Sequence, residues 1–306
     1  MVFDKYTPVL MLVFNRADVT AQVFEEVRKA APKYLYVAAD GARDAQEEIK
    51  CNQVRAIFDK IDWDCELKTL FRDQNLGCGM AVSSAIRWFF DQVESGIVLE
   101  DDCLPNSSFF GFCSNLLDYY KDNLSVGHIS GSNFQDGIVR GDGSYYFSAM
   151  THVWGWASWK RVWIDYDYKI TTFNSFDTSF SAFPAHKVFA ENWKNIFSNV
   201  YQGNINTWDY QYAYLNLIKG YKCVMPNVNL IENIGFGNQG THTNADHPLA
   251  VTSTQQITTI KHPTLFVNDV EADIYTQTKE FLVKKPKKGI FSMAWKKIKN
   301  YLKNDK

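Results

Sequence analysis

Residues 96–105 read GIVLEDDCLP. The apolar run 96–99 ends in three consecutive carboxylates, Glu100, Asp101 and Asp102. Like charges at that spacing repel, and burying them is costly unless a positive group compensates. Taken alone, the triplet has two readings. One is a solvated turn in which Asp102 caps the next helix. The other is a seat for a hard divalent cation, Mg2+ or Mn2+, which commonly takes one or two carboxylates plus phosphate oxygens.

The surrounding pattern favours the cation seat. PVLMLVF (8–14), YLYVAA (34–39), ELKTLF (66–71), GIVLE (96–100) and VGHISG (126–131) read as strands. Between them lie helical stretches. One starts at Asp18 with Val19, Val23, Phe24 and Val27 in 3.6-residue spacing. A charged one covers 44–60, one follows a Gly-rich turn over 75–93, and another covers 108–120. Repeated β-α-β units predict an α/β fold with a central, mainly parallel mixed sheet and helices on both faces. Ligands in such sheets bind outside the carboxyl ends of the strands. Asn15-Arg16, Asp40-Gly41, Arg72-Asp73 and Asp101-Asp102 all fall at those ends, which gathers polar groups along one edge.

With 306 residues, 46% hydrophobic and 15% aromatic, the chain has enough apolar material for a sizeable core. A formal net charge of −2 gives no global pull toward nucleic acid. Six scattered cysteines match neither a CxxC pair nor a zinc pattern, and read as reduced thiols. Asp4 and Lys5 precede only a short apolar run, so no signal peptide is expected, and no stretch reaches the ~20 apolar residues of a membrane span. The expected location is cytoplasmic, either soluble or peripheral on the inner face of the cell membrane. After residue 140 the composition turns aromatic, with four Trp in 145–168. The stretch 284–306 carries nine Lys and one Asp. Its positions 291, 294, 295, 298, 301 and 302 form an apolar helical face, so a basic amphipathic helix is expected there. That helix suits either simple docking on the domain or an anionic membrane surface.

The set VFNR, VAADG, NLGCGMAVSSAI, LEDDCLP, WGWASW, TWDYQ and NIGFGNQGTHT resembles bacterial nucleotide-diphospho-sugar glycosyltransferases of the GT-A fold. The order of LEDD and then WGW is also similar to N-acetylglucosaminyltransferase I. The motifs span about residues 8–245, and Glu-Asp-Asp stands where Asp-x-Asp is usual. The resemblance implies a transferase domain over 1–265, with a nucleotide-binding half (1–140) and an acceptor half (141–265). Residues 266–306 would form an extension. It implies a nucleotide-sugar donor, a UDP-sugar through Asp40, and a glycan or lipid-linked acceptor. Asp102 would hold Mn2+ or Mg2+, and Glu100 and Asp101 would lie near the ribose and sugar hydroxyls. Phe14, Asn15, Arg16, Asp40, Gly41, Asn75 and Gly77 would surround the nucleotide. Arg72 would reach the diphosphate or pair with the acidic triplet.

Transfer with inversion needs a carboxylate to deprotonate the acceptor hydroxyl. Asp209 in TWDYQ reads either as a solvated neighbour on a core helix or, with the resemblance, as that base. Trp154, Gly155, Trp156 and Trp208 would line the sugar and acceptor pocket, since sugar rings stack on aromatic faces. His242, at the end of a Gly-rich segment, would add a second metal or phosphate contact. The turn at Gly77 and Gly79 is not a dinucleotide motif, because it follows the third strand and lacks the third small residue. A nucleotidyltransferase is the first alternative, although VFNRADVT lacks the glycines such enzymes place after the first strand. A non-catalytic carbohydrate-binding protein is the second; it explains the aromatics but not the triplet.

Overall fold

The computed structural model describes residues 1–175, 184–236, 253–279 and 281. The first four strands are β1 (Val9–Val13), β2 (Tyr34–Ala39), β3 (Glu66–Phe71) and β4 (Ser95–Glu100). They alternate with α1 (Ala17–Ala30), α2 (Ala45–Arg55) and α3 (Cys78–Phe90). β1 is buried at every position, as its unbroken apolar run requires when both faces are covered. β3 lies at the sheet edge and carries Glu66 and Lys68 there, which discourages foreign strands.

The chain continues through β5 (Cys103–Pro105), α4 (Phe109–Tyr119), β6 (Val126–Ser130), β7 (Tyr145–Ser148), β8 (Trp156–Trp159) and the single turn α5 (Lys160–Trp163). Then come α6 (Pro184–Tyr201), α7 (Asp209–Lys219), β9 (Lys222–Pro226), β10 (Ile231–Asn233) and α8 (Val270–Lys279). Eight strands form one sheet in the order β3-β2-β1-β4-β8-β6-β9-β7. β1 to β4 are mutually parallel, β8 runs antiparallel between β4 and β6, and β7 runs antiparallel at the far edge. The fold is α/β, a large, mostly parallel mixed sheet flanked by helices.

The lateral path reverses after β3, so right-handed crossovers put α1 and α2 on one face and α3 on the other. Register sets the functional edge. Val13 lies beside Ala39, Ala39 beside Phe71, and Leu12 beside Glu100. The residues that follow, Phe14, Asp40, Arg72 and Asp101, therefore emerge in one row. Three strand spacings of about 4.8 Å put the ends of β3 and β4 about 14 Å apart.

The sequence reading has no counterpart for β7, β8 and β9. Of these, β8 overturns a specific expectation: WASW is a strand inside the sheet, and Trp156 is wholly buried. A second, smaller core joins Phe189, Trp193 and Phe197 of α6 to Tyr214 and Leu217 of α7.

Candidate functional site

The turn after β1 meets the turn after β4. Arg16 ends the β1–α1 connection and reaches across to the triplet. Its Nη2 pairs with Asp101 Oδ1 and, at 2.9 Å, with Asp102 Oδ2. Its Nε donates to Asp101 Oδ2 at 3.3 Å. Burial would lower the Arg16 pKa, but Asp101 and Asp102 outweigh it and hold the guanidinium firmly charged. For Asp101, burial raises the pKa and Arg16 opposes that rise. Glu100 is pushed up to about 8, first by burial and then by Asp102, Asp101 and Asp209.

The donors fit a hard cation in a limited way. The Asp102 oxygens differ: Oδ2 takes the Arg16 bond, while Oδ1 receives only a long contact from the Cys103 thiol at 3.6 Å. One carboxylate oxygen at a cleft, completed by substrate phosphates and water, is a normal Mg2+ or Mn2+ arrangement. Among the described residues no cluster of three His, Cys, Asp or Glu could enclose a metal. His242 lies outside the described residues.

The opposite wall comes from the second half of the chain. Gly77 (φ 76°) and Gly79 open α3, and Gly79 N donates to Asn206 Oδ1 at 3.1 Å. A side chain at position 79 would meet Tyr168 Oη at 2.5 Å and Thr207 O at 2.7 Å, so glycine is what lets segment 206–209 come this close. That segment starts α7, and Tyr166 Oη donates to Trp208 O at 2.9 Å to fix it. Thr207 Oγ1 and, at 2.9 Å, Tyr210 N both donate to Asp209 Oδ1. The Cys78 thiol is pushed up to about 12 by desolvation, then by Glu100, Asp209 and Asp40. Carboxylates from β2, β4 and α7 thus share one electrostatic neighbourhood. Asn206, Thr207, Tyr166 and Tyr168 were not singled out by sequence, and nothing in their spacing marks them.

Asp40 accepts from Leu76 N at 3.0 Å and Gly77 N at 3.1 Å, so its carboxylate caps the Gly-rich turn. Asn75 Nδ2 donates to Gly41 O at 2.7 Å, and the backbone of Gln74 leaves no room for a side chain on Gly41. Asn15 Nδ2 donates to Glu47 Oε1 at 2.8 Å, and Arg43 pairs with the same buried carboxylate over the Phe14 ring. The Glu47 pKa is held near 2 by the Arg43 hydrogen bond first, against burial, with help from Asn15.

Arg72 departs from one of its two expected roles, the pairing with the triplet. It forms no ion pair with the triplet but donates to Ser84 Oγ at 2.8 Å, because β3 ends two strands beyond β1. With Arg43 and Arg55 it lines a separate cavity of 240 Å³.

The aromatic expectation also needs correction. Trp156 is fully buried and Trp208 3% exposed, and their rings stack in the core with Trp163 and Tyr212. Burial of β8 on both faces leaves Trp156 no route to a pocket. Trp154 and Gly155 stay near the site. Trp154 is partly exposed and meets Phe134 and Phe236 edge to face. Gly155 (φ 60°) turns the chain against Ile231. After β10, Ile234 N donates to Asp102 O at 2.9 Å, and Gly235 lies against the triplet: a side chain there would overlap Asp102 Oδ2 and approach Arg16 Nη1 at 2.9 Å. The glycine richness of 233–243 was the signal for this segment.

No family model and no curated protein matches the chain. Among solved structures, similarity extends to HddC from Yersinia pseudotuberculosis, with 10% identity, 56% of this chain and 87% of that chain, and a TM-score of 0.32. A UDP-glucose pyrophosphorylase in its apo form matches with 11% identity, 71% and 90% coverage, and a TM-score of 0.35. The 4-diphosphocytidyl-2C-methyl-D-erythritol synthase of Anaerococcus prevotii matches with 9% identity, 69% and 97% coverage, and a TM-score of 0.33.

Proposed function

We propose that the chain is a metal-dependent glycosyltransferase that moves a sugar from a nucleotide-diphospho-sugar, a UDP-sugar, to a glycan or lipid-linked acceptor. The observation that carries this is the approach of segment 206–209, which ends on Asp209, to the Gly-rich turn that Asp40 caps: Gly79 N donates to Asn206 Oδ1 at 3.1 Å, and Gly77 N to Asp40 at 3.1 Å. The reaction needs such a pair of opposed walls, one for the leaving diphosphate and one for the incoming hydroxyl.

Asp102 would hold Mn2+ or Mg2+, which when bound neutralises charge on the diphosphate as a Lewis acid. Glu100 and Asp101 would lie near the ribose and sugar hydroxyls, and Phe14, Asn15 and the Asp40–Gly41 turn would flank the base. Asp209 accepts the proton of the acceptor hydroxyl as its oxygen bonds to the anomeric carbon. The bond from that carbon to the diphosphate breaks, its electron pair stays on the phosphate oxygen, and configuration inverts. Trp154 offers an apolar face for a sugar ring.

Nucleotidyl transfer to a sugar phosphate is the second reading. The triplet would serve it equally as a metal seat, and a UDP-glucose pyrophosphorylase is among the structures compared above. A TM-score of 0.35 does not decide between the two activities. One screen separates them. UDP- and GDP-sugars with Mn2+ should release nucleoside diphosphate, whereas UTP with sugar 1-phosphates should release no pyrophosphate. Pyrophosphate release without diphosphate release reverses the assignment. A purely carbohydrate-binding role loses its main support now that Trp156 and Trp208 are core residues.

A further inference from the structure

The acidic triplet already has a cation of its own. Arg16 bonds to both oxygens of Asp101 and to Asp102 Oδ2, and the three side chains are 19%, 7% and 14% exposed. Arg16 comes from the β1–α1 turn and the carboxylates from the β4–β5 turn, so strand register, not sequence adjacency, makes this pairing. Two charges held this far from water require a counter-ion. Gly235 closes the other side of Asp102 Oδ2 with backbone. A divalent cation on Asp102 Oδ1 therefore stands beside the guanidinium held on Oδ2 and is repelled by it.

We infer that Arg16 and a divalent cation compete for the charge of Asp102, one on Oδ2 and the other on Oδ1, so that the metal binds tightly only when Arg16 releases that carboxylate. The inference rests on the reading of Asp102 as the metal ligand. Its consequence is specific: without nucleotide, the chain holds metal weakly because of Arg16. A residue that merely supported the site would have the opposite effect, since its loss would weaken metal binding.

The test is a Mn2+ titration of the full chain without nucleotide, following free Mn2+ by electron paramagnetic resonance. Arg16→Gln is expected to bind Mn2+ at least tenfold more tightly than the parent and to gain a larger rise in Tm from Mn2+. Adding Asp102→Asn to that variant should abolish both effects. Equal or weaker Mn2+ binding by Arg16→Gln overturns the inference, as does an absence of Mn2+ binding in both proteins. If Arg16→Gln does not fold, Arg16→Met carries the comparison, because it keeps an unbranched stem and removes the charge. Tighter Mn2+ binding by the methionine variant supports competition, and equal or weaker binding overturns it. The readout is metal occupancy, so a chain that tightens on losing Arg16 yet transfers no sugar keeps this inference and loses the proposed function.

Discussion

Asp209 receives hydrogen bonds from Thr207 Oγ1 and Tyr210 N on the same oxygen, so its carboxylate has a set direction at the start of α7. Asp209→Asn keeps that shape and removes the basicity. Transfer should fall ~100-fold or more while UDP-sugar affinity stays within a few-fold, as steady-state kinetics and calorimetry would report. A loss under tenfold on a natural acceptor means Asp209 is not the base. At this scale the triplet was legible, because three charges closing an apolar run break the local pattern. The partnership of Arg16 with two of them was not, because only register makes neighbours of residues 85 positions apart. Arg72 illustrates the reverse. Its position at a strand end was legible, yet its partner is Ser84, since distance across the sheet is not written in the sequence.

Among the elements, the loops after β2 and β3 are pinned by one side chain. Arg55 Nη2, at the end of α2, donates to Asp40 O at 3.2 Å and Arg72 O at 2.7 Å. Arg55→Met deletes both bonds together with the guanidinium that lies over the Phe71 ring. Hydrogen bonds from a charged group contribute about 1.5–3 kcal/mol each, so the variant should lose roughly 3–6 kcal/mol in urea unfolding. Nucleotide binding should weaken as well, because Asp40 positions the Gly77 turn. A loss under ~0.5 kcal/mol would show that the loops hold each other without it. Apart from the short β5, the strands and α-helices of the first 130 residues were legible to within a few positions, because continuous apolar runs and 3.6-residue spacing are strong signals. The strands β7 and β8 were not, because short aromatic-rich segments carry no clear period, and β9 (KCVMP) is too short to mark itself. Trp suits a core strand and a sugar pocket equally well.

For the whole molecule, acid stability has an identifiable contributor. His128 is buried, its Nε2 donates to His152 O at 3.0 Å, and burial lowers its pKa to about 3. Unfolded, it would titrate near 6.5. Above that value neither state is charged, and His128 costs nothing. As pH falls from 6.5 toward 3 the unfolded chain takes up a proton that the native chain refuses, so stability is lost. His128→Phe gives up the bond to His152 O, so it should melt below the parent at pH 7.5. That gap should shrink steadily toward pH 4.5 in a Tm series. A constant gap would remove His128 from the acid response. The extension is another matter at this scale. Its described part is tied down: Ser148 Oγ donates to Asp273 Oδ1 at 2.5 Å, and Trp193 Nε1 to Gln277 Oε1 at 3.0 Å. Residues 284–306 lie outside the described part, and no helix among the described residues is long and apolar enough to cross a membrane. For that basic segment we propose an anionic membrane surface. Full-length protein should co-sediment with anionic vesicles at low salt and detach at high salt, and a chain ending at 283 should not sediment. Equal behaviour of the two chains would end the membrane reading.

The antiparallel strand β8 also governs the order in which the molecule is built. A ribosome releases β1 to β4 first, as a parallel wedge, yet the acidic strand β4 has a neighbour on only one side until Ala157 has emerged to pair with Ile97. Translation that stops between β6 and β8 would leave that flank of β4 with open backbone donors and acceptors, a template for foreign strands. The sheet around β4 is therefore completed late in synthesis, and incomplete chains of this protein would be the natural clients of chaperones.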